Sequence, residues 1–335
     1  MRKKSLENLN KDNIKILVCC HKPCALPPNS DEIFLPIHVG AAISDVDMGM
    51  QRDDQVNGQP CDNISAKNKN YCELTAVYWA WKNIKKLYPN LEYIGLNHYR
   101  RYFDFNTKKN VKIMYQKSDF IGKINAKNLS SLLNKYDRII PKCNILRETL
   151  KTQYCERHYS EDFRLTEQAI EELHPEYKKA FRKYFENAVK FYQFNMFIMN
   201  ISEFFSYCQW LFDILEYVRQ KSIYTCYNNY QKRIFGFLAE RLFTVYVCNA
   251  SKKTKEIPVI FLDDTSKKKY EKNSCINKLL YLKKELRQNI KKTLNKYRNI
   301  KHSIVNNDGK MNVNEEGGNN KAISSHCLLP CQIAA

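Results

Sequence analysis

The chain is 335 residues long, enough for one large domain or two modest ones, and 44% of it is hydrophobic, with 22 Tyr and 17 Phe. Nine Gly and ten Pro exclude a loop-rich or low-complexity protein, and Glu203, Gln209 and Asp213 interrupt the best apolar stretch, so it does not read as a membrane span. The net charge is +20; the 13 Cys are odd in number and irregularly spaced, as reduced thiols are, and no apolar signal core precedes Ile14, so a cytoplasmic location is expected.

In chain order, the apolar run from Ile14 to Cys20 is bounded by a Pro-containing turn and predicts a central parallel strand, with His21 and Lys22 at its C-terminal end. Residues 44–70 are polar, carrying Asp45, Asp47, Asp53 and Asp54 and then Asp62, Asn63, Ile64 and Ser65, and read as a long loop over an active site. Leu74, Val77, Tyr78, Trp81, Ile84 and Leu87 keep a helical step until Pro89 ends it. Tyr93, Ile94 and Leu96 then read as a short buried strand that runs into His98, Tyr99, Arg100, Arg101, Tyr102 and Phe103 with no turn residue between. This strand, loop, helix, strand order is the α/β signature.

The middle of the chain is more helical. The pattern predicts a helix over 128–136, a strand over 137–141, and helices over 165–173 and 175–192, the latter opening on Pro175. Residues 193–201 read as a buried strand with Asn195 at an unusual polar position, and 203–219 as a helix. Residues 230–248 form a further apolar helix or helix–strand pair, in which Arg233, Glu240 and Arg241 stand against a buried face, and 257–262 a last strand. With no repeat and no linker before about residue 265, one compact α/β domain with a helical sub-region is expected over 13–264.

Between 265 and 301 there are 13 Lys or Arg against Glu271 and Glu285, a net +11, and Leu279, Leu282, Leu286, Ile290, Leu294 and Tyr297 share one helical face. A basic amphipathic helix of this kind suits an anionic membrane surface, which would make the protein peripheral on the inner face of the plasma membrane. The alternative is a helix docked on the domain by its apolar stripe. Residues 302–335, rich in Asn, Gly and Ser, read as a disordered tail.

Two adjacent guanidinium groups at the C-terminal end of a buried strand are what an α/β protein needs to hold an anionic ligand, because Arg forks match phosphate oxygens and ligands sit beyond strand ends. The alternative is a surface Arg pair packed on rings. Metal signals are weak: His326, Cys327 and Cys331, like Cys19, Cys20, His21 and Cys24, have no partner pair at ligand spacing.

The ordered landmarks resemble a family of bacterial capsular, exopolysaccharide and lipopolysaccharide O-antigen glycosyltransferases long labelled only as a domain of unknown function. They are His21 and Lys22; Asp62 to Ser65; Tyr71 to Thr75 with Trp79, Trp81, Lys82 and Asn83; His98 to Phe103; Asn195 to Met199; and Gly236 to Leu242. Together they span roughly residues 13–262. The resemblance implies a GT-A-like nucleotide-sugar-binding fold with a mostly parallel central sheet. It also implies transfer of a hexose, with galactofuranose among the donors of the family, from a nucleotide sugar such as a UDP-sugar to a polyprenyl-linked or oligosaccharide acceptor.

Most GT-A enzymes neutralise the departing diphosphate with an Asp-x-Asp pair and Mn²⁺ or Mg²⁺. Here the corresponding strand end carries His98, Arg100 and Arg101, so the expectation is that guanidinium groups take over that task and no metal is required. Asp45-Val46-Asp47 and Asp263-Asp264 keep a Mg²⁺ or Mn²⁺ site as the alternative. His21, Lys22, Asp62, Asn63 and Ser65 join the three strand-end residues as candidate donor or diphosphate ligands. Asp162, Glu240 and Asp104 are candidate bases for the acceptor hydroxyl, with a Glu240 ion pair to Arg233 or Arg241 as the competing reading. His158, Asn195 and Arg233 are candidate acceptor ligands, and Glu73 can reach the same pocket, with an exposed or capping role as its alternative. Basic charge with interleaved aromatics also fits a nucleic-acid binder, and a non-catalytic scaffold of the polysaccharide machinery is a third class. The charge is concentrated in one helix and no nucleic-acid module is recognisable, so no nucleic-acid partner is expected.

Overall fold

The computed structural model describes residues 9–24, 26, 32–105, 111–114 and 126–262. All of them belong to the first of two units, Met1–Thr265. The expected basic helix over 265–301, the tail over 302–335 and the Asp263-Asp264 pair lie outside the described residues.

The apolar run Ile14–Cys20 is strand β1, buried at all seven positions, as a strand with neighbours on both edges and cover on both faces must be. It is followed by β2 (Phe34–His38) and β3 (Gln51–Arg52), then helix α1 (Leu74–Leu87) and β4 (Tyr93–His98). Next come β5 (Arg101–Phe103), β6 (Val111–Met114), α2 (Ala126–Leu133) and β7 (Arg138–Pro141). The helical region adds α3 (Leu150–Arg157) and α4 (Ser160–Leu173). Strand β8 (Phe197–Asn200), α5 (Ile201–Lys221), α6 (Ile234–Asn249), β9 (Thr254–Ile257) and β10 (Val259–Leu262) complete the described chain.

The sheet runs β9-β7-β8-β4-β1-β2-β3, parallel throughout except for β8, which is antiparallel to both of its neighbours. β5 folds back on β4 through the His98–Arg101 pair and pairs antiparallel with β10, which also pairs with β6. The period-two alternation sorts side chains between two cores. Leu17, Cys19, Ile94, Leu96 and Met199 pack against α1, α5 and α6. Ile14, Ile16, Val18, Cys20 and Ile198 pack on the other face with Leu129 and Leu133 of α2. Gly95 is required between β1 and β8, because a Cβ there would lie 2.9 Å from Ile198 Cγ1 and 3.0 Å from the Phe197 carbonyl oxygen.

Several elements depart from the sequence pattern. The expected helix over 175–192 breaks up: a 3-10 turn, one α turn and a π turn over Arg182–Glu186 lead to a short strand, Lys190–Phe191. The stretch after β4 turns at Tyr99 and Arg100 without Gly or Pro and returns as β5. The polar stretch 44–70 is not wholly loop, since it supplies edge strand β3, a hairpin of Gln55–Val56 with Gln59–Pro60, and two short helical turns before α1. The sequence pattern does not announce α3, because its mean polarity hides a buried Leu150, Gln153 and Tyr154. At the far side of the sheet Arg138 is fully buried and paired with Glu203 at 2.8 Å, with Thr254 Oγ1 accepting from its Nε. Removing one member of such a pair would strand the other charge.

Candidate active site

A cleft of about 740 Å³ opens at the C-terminal ends of β1 and β4, the place where open α/β sheets hold ligands. β1 contributes Cys19 and the following His21; the turn after β4 contributes His98, Tyr99, Arg100 and Arg101; the segment before α1 contributes Asn68, Lys69, Cys72 and Glu73. Val39, Phe194, Asn229, Lys232, Arg233 and Glu240 close the wall.

The Arg pair is placed by the β4–β5 reversal. Tyr99 N–H extends the ladder to the Cys19 carbonyl at 3.1 Å, and Leu262 N–H bonds the Arg100 carbonyl at 2.8 Å. The guanidinium groups rest on rings: Arg100 lies 5.0 Å from Tyr99 and 5.7 Å from Phe261, and Arg101 lies 4.8 Å from Phe194 and 5.3 Å from Phe261. Each Nε is buried without a hydrogen-bond partner among the described residues, and neither side chain pairs with a described carboxylate. Burial lowers the Arg101 pKa from its usual value, although guanidinium stays charged at neutral pH.

Two carboxylates face this pair, and strained backbone holds them. Phe194 and Asn195 both have left-handed backbone, φ 78° and 52°, which costs a non-glycine residue on the order of 1–3 kcal/mol. The bend lets Phe194 N–H bond Glu240 Oε1 at 2.8 Å, while the Phe194 carbonyl accepts from His98 Nε2 at 2.7 Å. Asn195 Nδ2 donates to Glu73 Oε1 at 2.7 Å. Cys72, the residue before Glu73, is left-handed too, with φ 52° and ψ −130°, and its Sγ accepts from Arg233 Nε at 3.3 Å. So three of the five described left-handed non-glycine residues gather at this cleft, as expected where strain fixes a functional geometry.

Charge in the cleft is lopsided. Lys69, Arg100, Arg101, Lys232 and Arg233 oppose Glu73 and Glu240, which suits a ligand with more than one negative charge. Burial raises the Glu240 pKa and nearby Glu73 adds to the rise, against the pull of Arg241, whose Nη1 is 3.3 Å from Glu240 Oε2. His98 is lowered by burial, and since its Nε2 meets a carbonyl, that nitrogen carries the proton in the neutral ring. His21 is lowered by burial and then by Lys22 and Arg100.

Of the residues singled out from sequence, His21, Glu73, His98, Arg100, Arg101, Arg233 and Glu240 meet in this cleft. Lys22 is exposed beside it, with Nζ 5.8 Å from the Tyr99 ring, and Asn195 lies buried behind Phe194. The Asp62-to-Ser65 run is not brought in. Asp62 Oδ1 accepts from Tyr78 OH, its carbonyl accepts from Asn83 of α1, Asn63 Oδ1 caps Ser65 N–H, and Ser65 Oγ bonds buried Asp53. These residues brace the 44–70 segment against α1. Asp104 is buried where the Pro258 carbonyl accepts its N–H at 2.7 Å, outside the cleft lining. Asp162 and His158 sit in the helical region, bonded to Tyr227 OH at 2.8 Å and to Gln231 Oε1 at 2.9 Å, and also do not line the cleft.

Sequence reasoning missed Asn68, Lys69, Cys72, Asn229 and Lys232. The one signal for them is position, just before the N-termini of two apolar helices. As for a metal, Asp45 and Asp47 are exposed, with Asp47 Oδ1 capping Gly49 N–H at 2.9 Å, and no group of three or more His, Cys, Asp or Glu converges among the described residues.

Residues 15–253 match the family described as a domain of unknown function, DUF4422. The chain belongs to this family. A solved apo structure of WbbM, a bifunctional glycosyltransferase, is similar to it with a TM-score of 0.65 and 30% identity over 75% of this chain. The match covers 45% of WbbM, so this chain spans less than half of that protein. No curated protein matches. The family segment contains every cleft residue, and the fold is GT-A-like, a mostly parallel sheet with helices on its faces. No described helix is long and apolar enough to cross a membrane.

Proposed function

We propose that this member of the DUF4422 family is a glycosyltransferase that moves a hexosyl group from a nucleoside-diphosphate sugar to an acceptor hydroxyl. UDP-galactofuranose and UDP-galactose are the leading donors, and a polyprenyl-linked or growing oligosaccharide of capsule, exopolysaccharide or O-antigen synthesis is the acceptor. The likeness to a glycosyltransferase of known structure supports the reaction class. The observation that carries the reading is the Arg100–Arg101 pair, free of carboxylate partners among the described residues and facing Glu73 and Glu240 across one cleft.

In the transfer the acceptor oxygen attacks the sugar C1 and its proton passes to a carboxylate. The bond from C1 to the diphosphate oxygen breaks, and both electrons leave with the diphosphate. Glu240 serves as the base: of the three candidate bases it alone lines the cleft, and its raised pKa makes it the stronger acceptor of a proton. Glu73 accepts a hydrogen bond from a sugar hydroxyl. Arg100 and Arg101, with Lys232 and Arg233 of the same cleft wall, take up the charge that develops on the leaving oxygens, the task a hard cation performs in most enzymes of this fold. A Mg²⁺ or Mn²⁺ requirement is the competing version.

A panel of UDP- and GDP-sugars, assayed for transfer to short or lipid-linked oligosaccharides with and without EDTA, tests both parts. Transfer from a UDP-hexose that persists in EDTA is expected. Complete loss in EDTA with recovery in Mn²⁺ would sink the arginine mechanism. UDP should raise the melting temperature of the wild type and not of Arg100→Ala; equal stabilisation of both would remove the Arg pair from the donor site.

A further inference from the structure

Tyr230 is among the most exposed large apolar side chains of the described residues, at 56%, yet it is firmly held. Its ring lies nearly parallel to His158, 6.0 Å away at 18°, and 5.2 Å from Phe237. His158 in turn stacks on Phe237 at 4.2 Å. Tyr230 therefore leans on a partly buried aromatic pile while more than half of its own surface is open to solvent.

The backbone under the ring is fixed as well. Asn228 Oδ1 accepts from Tyr230 N–H at 3.0 Å and Gln231 N–H at 2.9 Å. Gln231 is clamped between His158 Nδ1 and the Arg157 carbonyl. An aromatic ring that is ordered before binding gives up little entropy when a ligand covers it. Its location ties it to the cleft: Asn229, Lys232 and Arg233, on either side of it in sequence, all line the wall, and the Arg233 guanidinium lies 5.3 Å from the same Phe237 ring.

We propose that the open face of Tyr230 is the acceptor subsite, a platform on which the apolar C–H face of an acceptor sugar ring stacks beside the donor cleft. The proposal rests on the glycosyltransferase reading and names a recognition element for that same site. Stacking supplies contact area and leaves the ring hydroxyls free to point toward Glu240 and the donor C1. The positive ends of C–H bonds meet the negative face of the aromatic ring, the same quadrupole preference that orders aromatic pairs. His158 acts through Tyr230 as a positioning residue, which gives it a place in acceptor recognition without direct contact.

The test separates acceptor from donor in the full-length protein. Tyr230→Ala should raise the acceptor KM about tenfold and leave the UDP affinity, read by thermal shift, as in the wild type; Tyr230→Trp should restore the acceptor KM. Saturation-transfer NMR with a panel of galactose, glucose and mannose disaccharides should show transfer to ring C–H protons that is lost in Tyr230→Ala and kept in Tyr230→Trp. An unchanged acceptor KM, or an equal loss of UDP affinity, overturns the platform. If UDP binds but no disaccharide shows a Tyr230-dependent signal, the platform fails while the donor site stands. If the wild type does not bind UDP at all, the transferase reading fails and the platform with it.

Discussion

Glu240 shows how a single side chain is tuned by its surroundings. Burial penalises the charged form and Glu73 adds to the rise, so its pKa lies above the ordinary value of 4.5, while Phe194 N–H and Arg241 keep it from rising further. The active form is the carboxylate, so turnover should be lost as pH falls through this raised value. Glu240→Gln keeps an oxygen for Phe194 N–H but cannot take a proton. Its kcat should drop by a factor of about 10² to 10⁴, with UDP affinity little changed and the acid limb gone from the pH–rate profile. An acid limb that persists in Glu240→Gln would assign it to another group. Glu240, Arg100 and His98 were legible in the sequence because each is a charged or polar group set against a run that must be buried. Asp162, named with Glu240 as a candidate base, instead accepts a hydrogen bond from Tyr227 OH in the helical region. Lys69 and Lys232 gave no signal, for a lysine at a helix entrance looks like any solvated surface residue.

At the scale of elements, apolar runs proved the most readable and their ends the least. Strand β1 is legible because six of its seven residues are apolar, broken only by Lys15, and a Pro-containing turn bounds the run. The expected helix over 175–192 is not continuous: Phe181 and Phe185 share one buried face, as residues four apart do, but the chain passes through a π turn over Arg182–Glu186 into a short strand at Lys190–Phe191. Gly95 makes β4 testable: Gly95→Ala would drive a Cβ into the Phe197 carbonyl oxygen as well as Ile198. Since backbone cannot step aside as a side-chain tip can, about 1–3 kcal/mol of destabilisation is expected, measured by urea unfolding; a change below 0.5 kcal/mol would remove the close-approach argument. The helical region has its own pH signature. Burial raises Asp162 from 3.8 to about 6, so the fold holds a proton there that the unfolded chain releases, and stability from this group falls as pH rises from about 4 to about 6. Burial lowers His158 from 6.5 to about 4, so its contribution falls in the opposite direction, as pH drops from about 6.5 to about 4. Asp162→Asn should abolish the first slope and gain about 3 kcal/mol near pH 7 relative to wild type. A wild-type slope retained in the variant would show that Asp162 is not the group responsible.

At the scale of the whole molecule, the cleft brings together residues from five distant parts of the chain, 19–39, 68–73, 98–101, 194 and 229–240, and this convergence was the part least open to reading in sequence. Antiparallel β8 is inserted beside β4, which carries the left-handed bend before it to the ends of β1 and β4, and no local pattern announces that insertion. Charge is distributed differently from the fold. The described residues carry the lopsided cleft, but a net +11 of the total +20 belongs to residues 265–301, outside them. A polyprenyl-linked acceptor is confined to a membrane surface, so an enzyme that uses it gains by staying there, and each basic residue near an anionic surface adds about 1 kcal/mol of attraction. The full chain should therefore sediment with phosphatidylglycerol vesicles and not with phosphatidylcholine vesicles, and rising salt should release it, because the attraction is screened. Removal of 265–335 should abolish sedimentation while UDP still raises the melting temperature of the remainder. Sedimentation with anionic vesicles that survives the removal would place the contact on the catalytic unit instead, and binding to both lipids at high salt would mean that apolar insertion, not charge, holds the protein to the surface.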